Sequence, residues 1–171
     1  MVVGMQKKVL TEQSLYYGDV SMPEGFEINH VKLTNDIIHS NYFNIKFPFS
    51  TEWDMLDKYL SEHINLKFNL NLVNKKTWGD VYKPLETSEP LINIDPVDLR
   101  NSPDFTLLYG VRTEDCTVRI YYDENRRKGR SWDIELKTNM FLMFPSTNMY
   151  CIKNNQKDSL NLIQTITYES I

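Results

Sequence analysis

Alanine is missing altogether from this 171-residue chain, and histidine, cysteine and glycine are scarce, at three, two and six residues. An alanine-free sequence rich in Asn, Lys, Ile, Leu and Tyr reflects codon use in an AT-rich bacterial or viral genome, and it carries no mechanism of its own. Scarce glycine, with no repeat and no low-complexity tract, excludes a flexible linker, so residues 1–171 read as one domain with one core. Cys116 and Cys151 lack metal-type spacing; in a cytosolic chain they are expected buried and reduced, and whether they pair stays open. A net charge of −4 at pH 7 leaves no basic face for a general nucleic-acid binder. No apolar run reaches the roughly 20 residues of a bilayer-spanning helix. Met1 to Lys8 lacks the apolar core of a signal peptide, so a cytoplasmic location is expected, that of the host if a phage encodes the chain. No Ser-His-Asp or Cys-His arrangement, phosphate loop or dinucleotide fingerprint occurs.

What is present reads as strands around one helix. Residues 10–50 alternate loosely, with Val31 and Leu33 and the stretch Tyr42 to Phe49, and carry the turn Pro23-Glu24-Gly25. They predict irregular strands. Ser50-Thr51-Glu52-Trp53-Asp54 opens a helix near 51–65: Thr51 and Asp54 approximate a capping box, and acids occupy the first turn. Trp53, Leu56, Tyr59, Leu60 and Ile64 recur at helical spacing, which predicts an apolar stripe packed on the outside of the larger sheet. Pro84, Pro90, Pro96 and Pro103 then predict a long loop or short strands. From Phe105 the chain turns to short β-rich runs: Phe105 to Val111, Cys116 to Tyr122, Trp132 to Leu136, Met140 to Phe144, Met149 to Ile152 and Leu160 to Tyr168. Regular short strands separated by polar turns predict an antiparallel sandwich or barrel. Cys116, Val118, Ile120 and Tyr122 alternate with Thr117, Arg119 and Tyr121, placing the two sets on opposite faces. Met140 to Phe144 is apolar on both faces and predicts a central strand covered on each side. The predicted core is Leu107, Tyr109, Val118, Ile120, Trp132, Ile134, Leu142, Phe144, Ile152, Leu162 and Ile166.

Met140-Phe141-Leu142-Met143-Phe144-Pro145-Ser146, a polar Asn-bearing turn, and the terminal Leu162-Ile163-Gln164-Thr165-Ile166-Thr167-Tyr168 resemble the C-terminal barrel strands of iron(II)/2-oxoglutarate oxygenases. The likeness is nearest to small marine phage and bacterial proteins of that group. Thr77-Trp78-Gly79-Asp80-Val81-Tyr82 and the Pro90 region resemble the strand and loop before that family's first metal motif. The resemblance covers residues 77–169 and implies a mainly β fold, a double-stranded β-helix (a jelly-roll or cupin-like barrel), with residues 1–76 supplying N-terminal strands and the helix. It also implies a distal metal histidine at or beside Tyr150, a His-x-Asp or His-x-His motif within Leu91-Ile92-Asn93-Ile94-Asp95, and a co-substrate arginine in Leu160 to Ile163. None of those positions carries the implied histidine or arginine. A phenol, an amide and a lone carboxylate make a poor divalent-iron set beside imidazole, and 2-oxoglutarate loses its bidentate partner.

The expectation that follows is a barrel without metal or cofactor, used in binding or assembly. Its partner would be a small molecule, a protein or a second copy of the chain. One alternative is an active Fe(II)/2-oxoglutarate dioxygenase with an unconventional site built from Tyr150, Asp95 or an upstream histidine. His30 and His39, on predicted strands, and His63, on the helix, would then have to reach Asp95 or Asp98, although no pair has ligand spacing. Another alternative is a cupin-like carbohydrate binder with Tyr and Trp in an exposed groove. Strand alternation and the resemblance together predict a pocket at the barrel mouth near Tyr109, Arg119, Tyr121, Tyr150 and Gln164, with Arg119 or Arg112 as a relocated carboxylate clamp. The run Arg126, Arg127, Lys128, Gly129, Arg130 reads either as an anion grip or as a solvated hairpin tip.

Overall fold

The computed structural model describes residues 3–10, 12–22, 27–43, 51–122 and 130–171. Among these residues, two α-helices and eight strands follow in the order β1 (Tyr16–Asp19), α1 (His30–Phe43), α2 (Thr51–Phe68), β2 (Leu72–Tyr82), β3 (Phe105–Arg112), β4 (Cys116–Tyr121), β5 (Ser131–Glu135), β6 (Met140–Pro145), β7 (Tyr150–Asn154) and β8 (Asn161–Ser170). A five-stranded antiparallel sheet, ordered β1-β6-β3-β8-β2, faces a three-stranded sheet ordered β5-β4-β7. This is a double-stranded β-helix, as the resemblance implies, with two helices on one outer face where the sequence predicts one.

Two cores divide the molecule. Between the sheets, Leu108, Leu142, Phe144 and Ile163 of the larger sheet meet Cys116, Val118, Ile120, Tyr150 and Ile152 of the smaller one. Outside the larger sheet, Leu107, Tyr109, Met143, Ile166 and Tyr168 pack against Leu33 and Ile37 of α1 and Trp53, Leu56, Leu60 and Ile64 of α2. The α2 stripe lies as its spacing predicts, each large side chain contributing about 1.5–3 kcal/mol by burial. Met140 to Phe144 is likewise covered on both sides: Leu142 and Phe144 face the small sheet and Met143 faces the helices. Within the predicted core, Trp132 is 46% exposed and Ile134 only partly buried, because β5 is the edge of its sheet. Tyr122 also departs from its predicted inward set; it lies past the end of β4 and is exposed.

The N-terminal third differs most from its pattern. Of the strands predicted over residues 10–50, the described residues hold only β1, and His30–Phe43 is a helix. Asn29 caps it, its side-chain oxygen accepting the backbone N–H of Lys32 at 3.0 Å. Leu33, Asp36, Ile37 and Ser40 form its buried face, a period of three and four that the β-like alternation around Val31 and Leu33 masked. Glycine at 79 lets α1 seat on β2: a Cβ there would lie 2.4 Å from Ile37 Cγ1. The turn Pro23-Glu24-Gly25 lies outside the described residues.

The proline-punctuated stretch before β3 is a loop with one 3-10 turn, Leu99–Asn101, and two isolated bridges, Thr87 to Lys153 and Leu91 to Tyr150. These bridges lay the loop along β7. Both cysteines are free. Cys116 points into the inter-sheet core while Cys151, paired in register with Arg119, belongs to the opposite face of the same small sheet, so they do not bond. Burial pushes the Cys116 thiol up to about 12, which leaves it inert. No described helix is long and apolar enough to cross a membrane.

Candidate functional site

The barrel has a stitched end and an open end. At the stitched end, Asn154 Nδ2 donates to the carbonyls of Tyr82 (3.0 Å), Lys83 (3.1 Å) and Ser159 (2.8 Å). Its Oδ1 accepts the backbone N–H of Gln156 at 3.0 Å. Asn161 Oδ1 accepts from Glu114 N and Gln156 Nε2. Those amides mainly hold backbone, and Asn161 Nδ2 is buried without a hydrogen-bond partner among the described residues.

The open end collects the start of β2, β3 and β7 and the end of β6 and β8, because the strands are antiparallel: Phe105 faces Pro145 and Tyr168, and Lys76 faces Thr167. Here side chains bond to side chains. Asn93 Nδ2 donates to Thr106 Oγ1 and to the Tyr150 hydroxyl, each at 3.1 Å. Thr106 Oγ1 and Ser146 Oγ lie 2.9 Å apart, and the Tyr150 and Phe144 rings meet edge-on at 5.1 Å. Burial pushes the Tyr150 phenol up to about 12, so it stays protonated as a neutral partner. Asp80 projects toward the same interior from β2; its Oδ2 accepts from Trp78 Nε1 at 3.0 Å, and desolvation holds its carboxyl above the usual range against that hydrogen bond.

A β-bulge puts these β2 side chains there. Asn74 pairs with Tyr168 and Lys76 with Thr167, so Lys75 is the extra residue. After it, Lys76, Trp78, Asp80 and Tyr82 take the inter-sheet side while Thr77, Gly79 and Val81 face the helices. Beside Asn93 the mouth opens into a cleft of about 600 Å³, lined on β2 by Lys75, Lys76 and Trp78 and on the loop by Asp95 and Asp98.

The five residues predicted to share a mouth pocket lie on three different faces. Tyr150 alone belongs to the interior described above. Tyr109 and Gln164 are cross-strand partners on the helix-covered face. The Tyr109 hydroxyl donates to Asn139 Oδ1 at 2.8 Å and lies 2.8 Å from His30 Nε2, and Gln164 Nε2 donates to Thr77 Oγ1 at 2.8 Å. Arg119 and Tyr121 sit on the outer face of the small sheet, where Arg119 grips Asp133 of β5 through Nε to Oδ1 (2.7 Å) and Nη2 to Oδ2 (3.0 Å). Alternation separated Arg119 and Tyr121 from the core side correctly, but that side is solvent and not a mouth. Arg112, the other clamp candidate, is exposed at the end of β3. Of the basic run, Arg126, Arg127 and Lys128 lie outside the described residues, and Arg130 is exposed. Asn93 and Trp78 were singled out by no pocket argument, although both stood within the segments that carry the family resemblance.

All three histidines sit on helices and not on strands. His30 and His39 belong to α1 and His63 to α2, on the far side of the larger sheet from the barrel interior. Burial lowers the His30 pKa against a hydrogen bond from its ring to the backbone of Ile28, which raises it, and His63 Nδ1 meets the Tyr59 carbonyl within its own helix at 3.1 Å. Among the described residues no three His, Cys, Asp or Glu side chains gather to hold a metal. From the window implied for the first metal motif, Leu91 to Asp95, and from the implied distal position at or beside Tyr150, the chain brings Asn93 and Tyr150 together as an amide bonded to a phenol. Asp80, which also faces the interior, is tied to an indole, and Asp95, in the window implied for the first motif, lines the cleft with one oxygen accepting the Val97 N–H. This donor set does not fit divalent iron, which takes imidazole and carboxylate in these enzymes.

No family model matches this chain, and no curated protein matches it. Among solved structures it is similar to a prolyl-4-hydroxylase from Pseudomonas putida, at 12% identity over 92% of this chain and 88% of that one, with a TM-score of 0.64. It is similar to AviO1 from Streptomyces viridochromogenes Tue57, at 11% identity, 92% and 90% coverage and a TM-score of 0.65. A viral collagen prolyl hydroxylase from Paramecium Bursaria Chlorella virus-1, solved with 2OG, matches at 13% identity, 92% and 96% coverage and a TM-score of 0.62. The chain therefore has the fold of the iron(II)/2-oxoglutarate oxygenases. At such identities the likeness speaks for fold, and function has to be argued from the site.

Proposed function

We propose that this chain is a binding protein built on the oxygenase barrel, one that no longer carries out iron/2-oxoglutarate chemistry and that takes a small polar ligand at the mouth. The observation that carries this reading is the Asn93–Tyr150 hydrogen bond, extended through Thr106 to Ser146. Four neutral side chains satisfy one another, and two of them, Asn93 and Tyr150, come from the segments where the resemblance implies metal ligands. The absence of an imidazole from the strands supports the same reading, since His30 is engaged by Tyr109 behind the larger sheet. The alanine-free composition supports an AT-rich phage or bacterial source. An active dioxygenase built from Tyr150, Asp95 or an upstream histidine gains no support from any particular contact.

Anaerobic calorimetry of iron(II) on metal-stripped protein, with and without 2-oxoglutarate, tests the proposal. We expect no saturable heat from either addition. Tight iron uptake that strengthens with 2-oxoglutarate would sink it.

A further inference from the structure

The mouth cleft is walled by opposite charges. Lys75 and Lys76 stand on β2, and Asp95 and Asp98 stand on the loop before β3, with Trp78 and Asn93 also lining it. We propose that this cleft binds a neutral, hydroxyl-rich ligand, a saccharide, laid against Trp78. The inference deepens the binding reading above and rests on it.

Three properties of the cleft select that chemistry. First, Trp78 is half-buried and tethered through its indole Nε1 to Asp80. A ring already ordered before the ligand arrives offers apolar area at low entropic cost. Second, the polar lining mixes donors and acceptors with capacity to spare. Asp95 Oδ1 accepts the Val97 N–H at 2.9 Å, while its second oxygen accepts no hydrogen bond from the described residues. Both oxygens of Asp98 share a single amide group, Asn101 Nδ2, at 3.0 and 2.9 Å. Lys75 Nζ donates to the Asn101 carbonyl, which bridges the two walls, whereas Lys76 is exposed. A hydroxyl both donates and accepts, so a polyol satisfies such a lining; a zwitterion would engage one ammonium and one carboxylate and leave the rest. Third, two ammonium groups against two carboxylates leave no net attraction for a dicarboxylate such as 2-oxoglutarate. The volume of about 600 Å³ suits a small ligand, within the roughly 300–1,000 Å³ usual for such sites.

Titrating the full chain with maltose, cellobiose and chitobiose, read by tryptophan fluorescence and calorimetry, tests the inference, with glycine and 2-oxoglutarate as competing probes. We expect saturable binding of at least one disaccharide, with a dissociation constant of about 0.1–10 mM. Trp78→Ala should weaken it about tenfold or more, and Trp78→Phe, which keeps a ring, should restore most of it. Lys76→Met, on an exposed position that the fold does not need, should weaken it several-fold. No saturation with any of the three disaccharides overturns the inference, as does a preference for glycine or 2-oxoglutarate, or binding undiminished in both Trp78→Ala and Lys76→Met. Iron uptake would overturn the non-catalytic reading itself, whereas sugar failure without iron uptake overturns only the ligand class.

Discussion

The two ends of this barrel both bury polar side chains, and they use them differently. At the stitched end, amides bind backbone: Asn154 alone reaches three carbonyls, and Asn161 holds the turn at Glu114. At the mouth, side chains bind side chains, and the network of Asn93, Thr106, Ser146 and Tyr150 stops beside an open cleft. Polar groups spent on backbone fix the chain path, which any loop closure demands. Polar groups spent on one another in a half-open interior are free to exchange partners with a ligand. Burial by itself does not mark a site; the kind of partner does.

That contrast is open to attack, beginning at the stitched end. Asn154→Ala removes four hydrogen bonds from a fully buried position and leaves carbonyls without donors. We expect a loss of about 2–4 kcal/mol in denaturant unfolding. At the mouth, Tyr150→Phe removes a single hydroxyl contact and should cost only about 1 kcal/mol. If the two variants are equally destabilising, the mouth network is scaffolding like its counterpart and the distinction fails.

A third test concerns the helix-covered face, where His30 is held beside Tyr109. Its folded pKa lies below the unfolded value of about 6.5, so between the two the unfolded chain binds more protons. Stability is then full above that unfolded value and declines as pH falls through the folded pKa. We expect His30→Gln to flatten the acid-side slope of thermal midpoint against pH over this window. The smallest effect belongs to the outer face of the small sheet. Arg119→Ala breaks an exposed ion pair with Asp133 and should leave the thermal midpoint indistinguishable from wild type. A clear loss would mean that this face is covered by something in solution.

How much of this could be read beforehand varies along the chain. From Phe105 onward, six short runs with polar turns between them foretold β3 to β8 within one or two residues, because alternation is dictated by a pleat with unlike faces. The α2 stripe was legible for the same reason at helical period. Helix α1 was not: its buried set of Leu33, Asp36, Ile37 and Ser40 includes two polar residues, so no apolar stripe announces it, and its form is set by packing on Gly79 of β2. The mouth pocket failed differently. Alternation assigns residues to faces but cannot say which face meets solvent, helix or the other sheet, so Tyr109 and Gln164 on the helix-covered face were grouped with Arg119 on the solvent face and Tyr150 in the interior.

The sequence by itself determined the strands from Phe105 onward, the amphipathic helix α2 and the want of an imidazole in that later half, since each is a local or compositional property that folding cannot alter. Only the tertiary structure decided which polar groups meet. Asn93 and Tyr150 are 57 residues apart and bond across the mouth, and the extra residue at Lys75 turns Lys76 and Trp78 toward the cleft. Contacts of that kind depend on register and on closure of two sheets, which no stretch of neighbouring residues encodes.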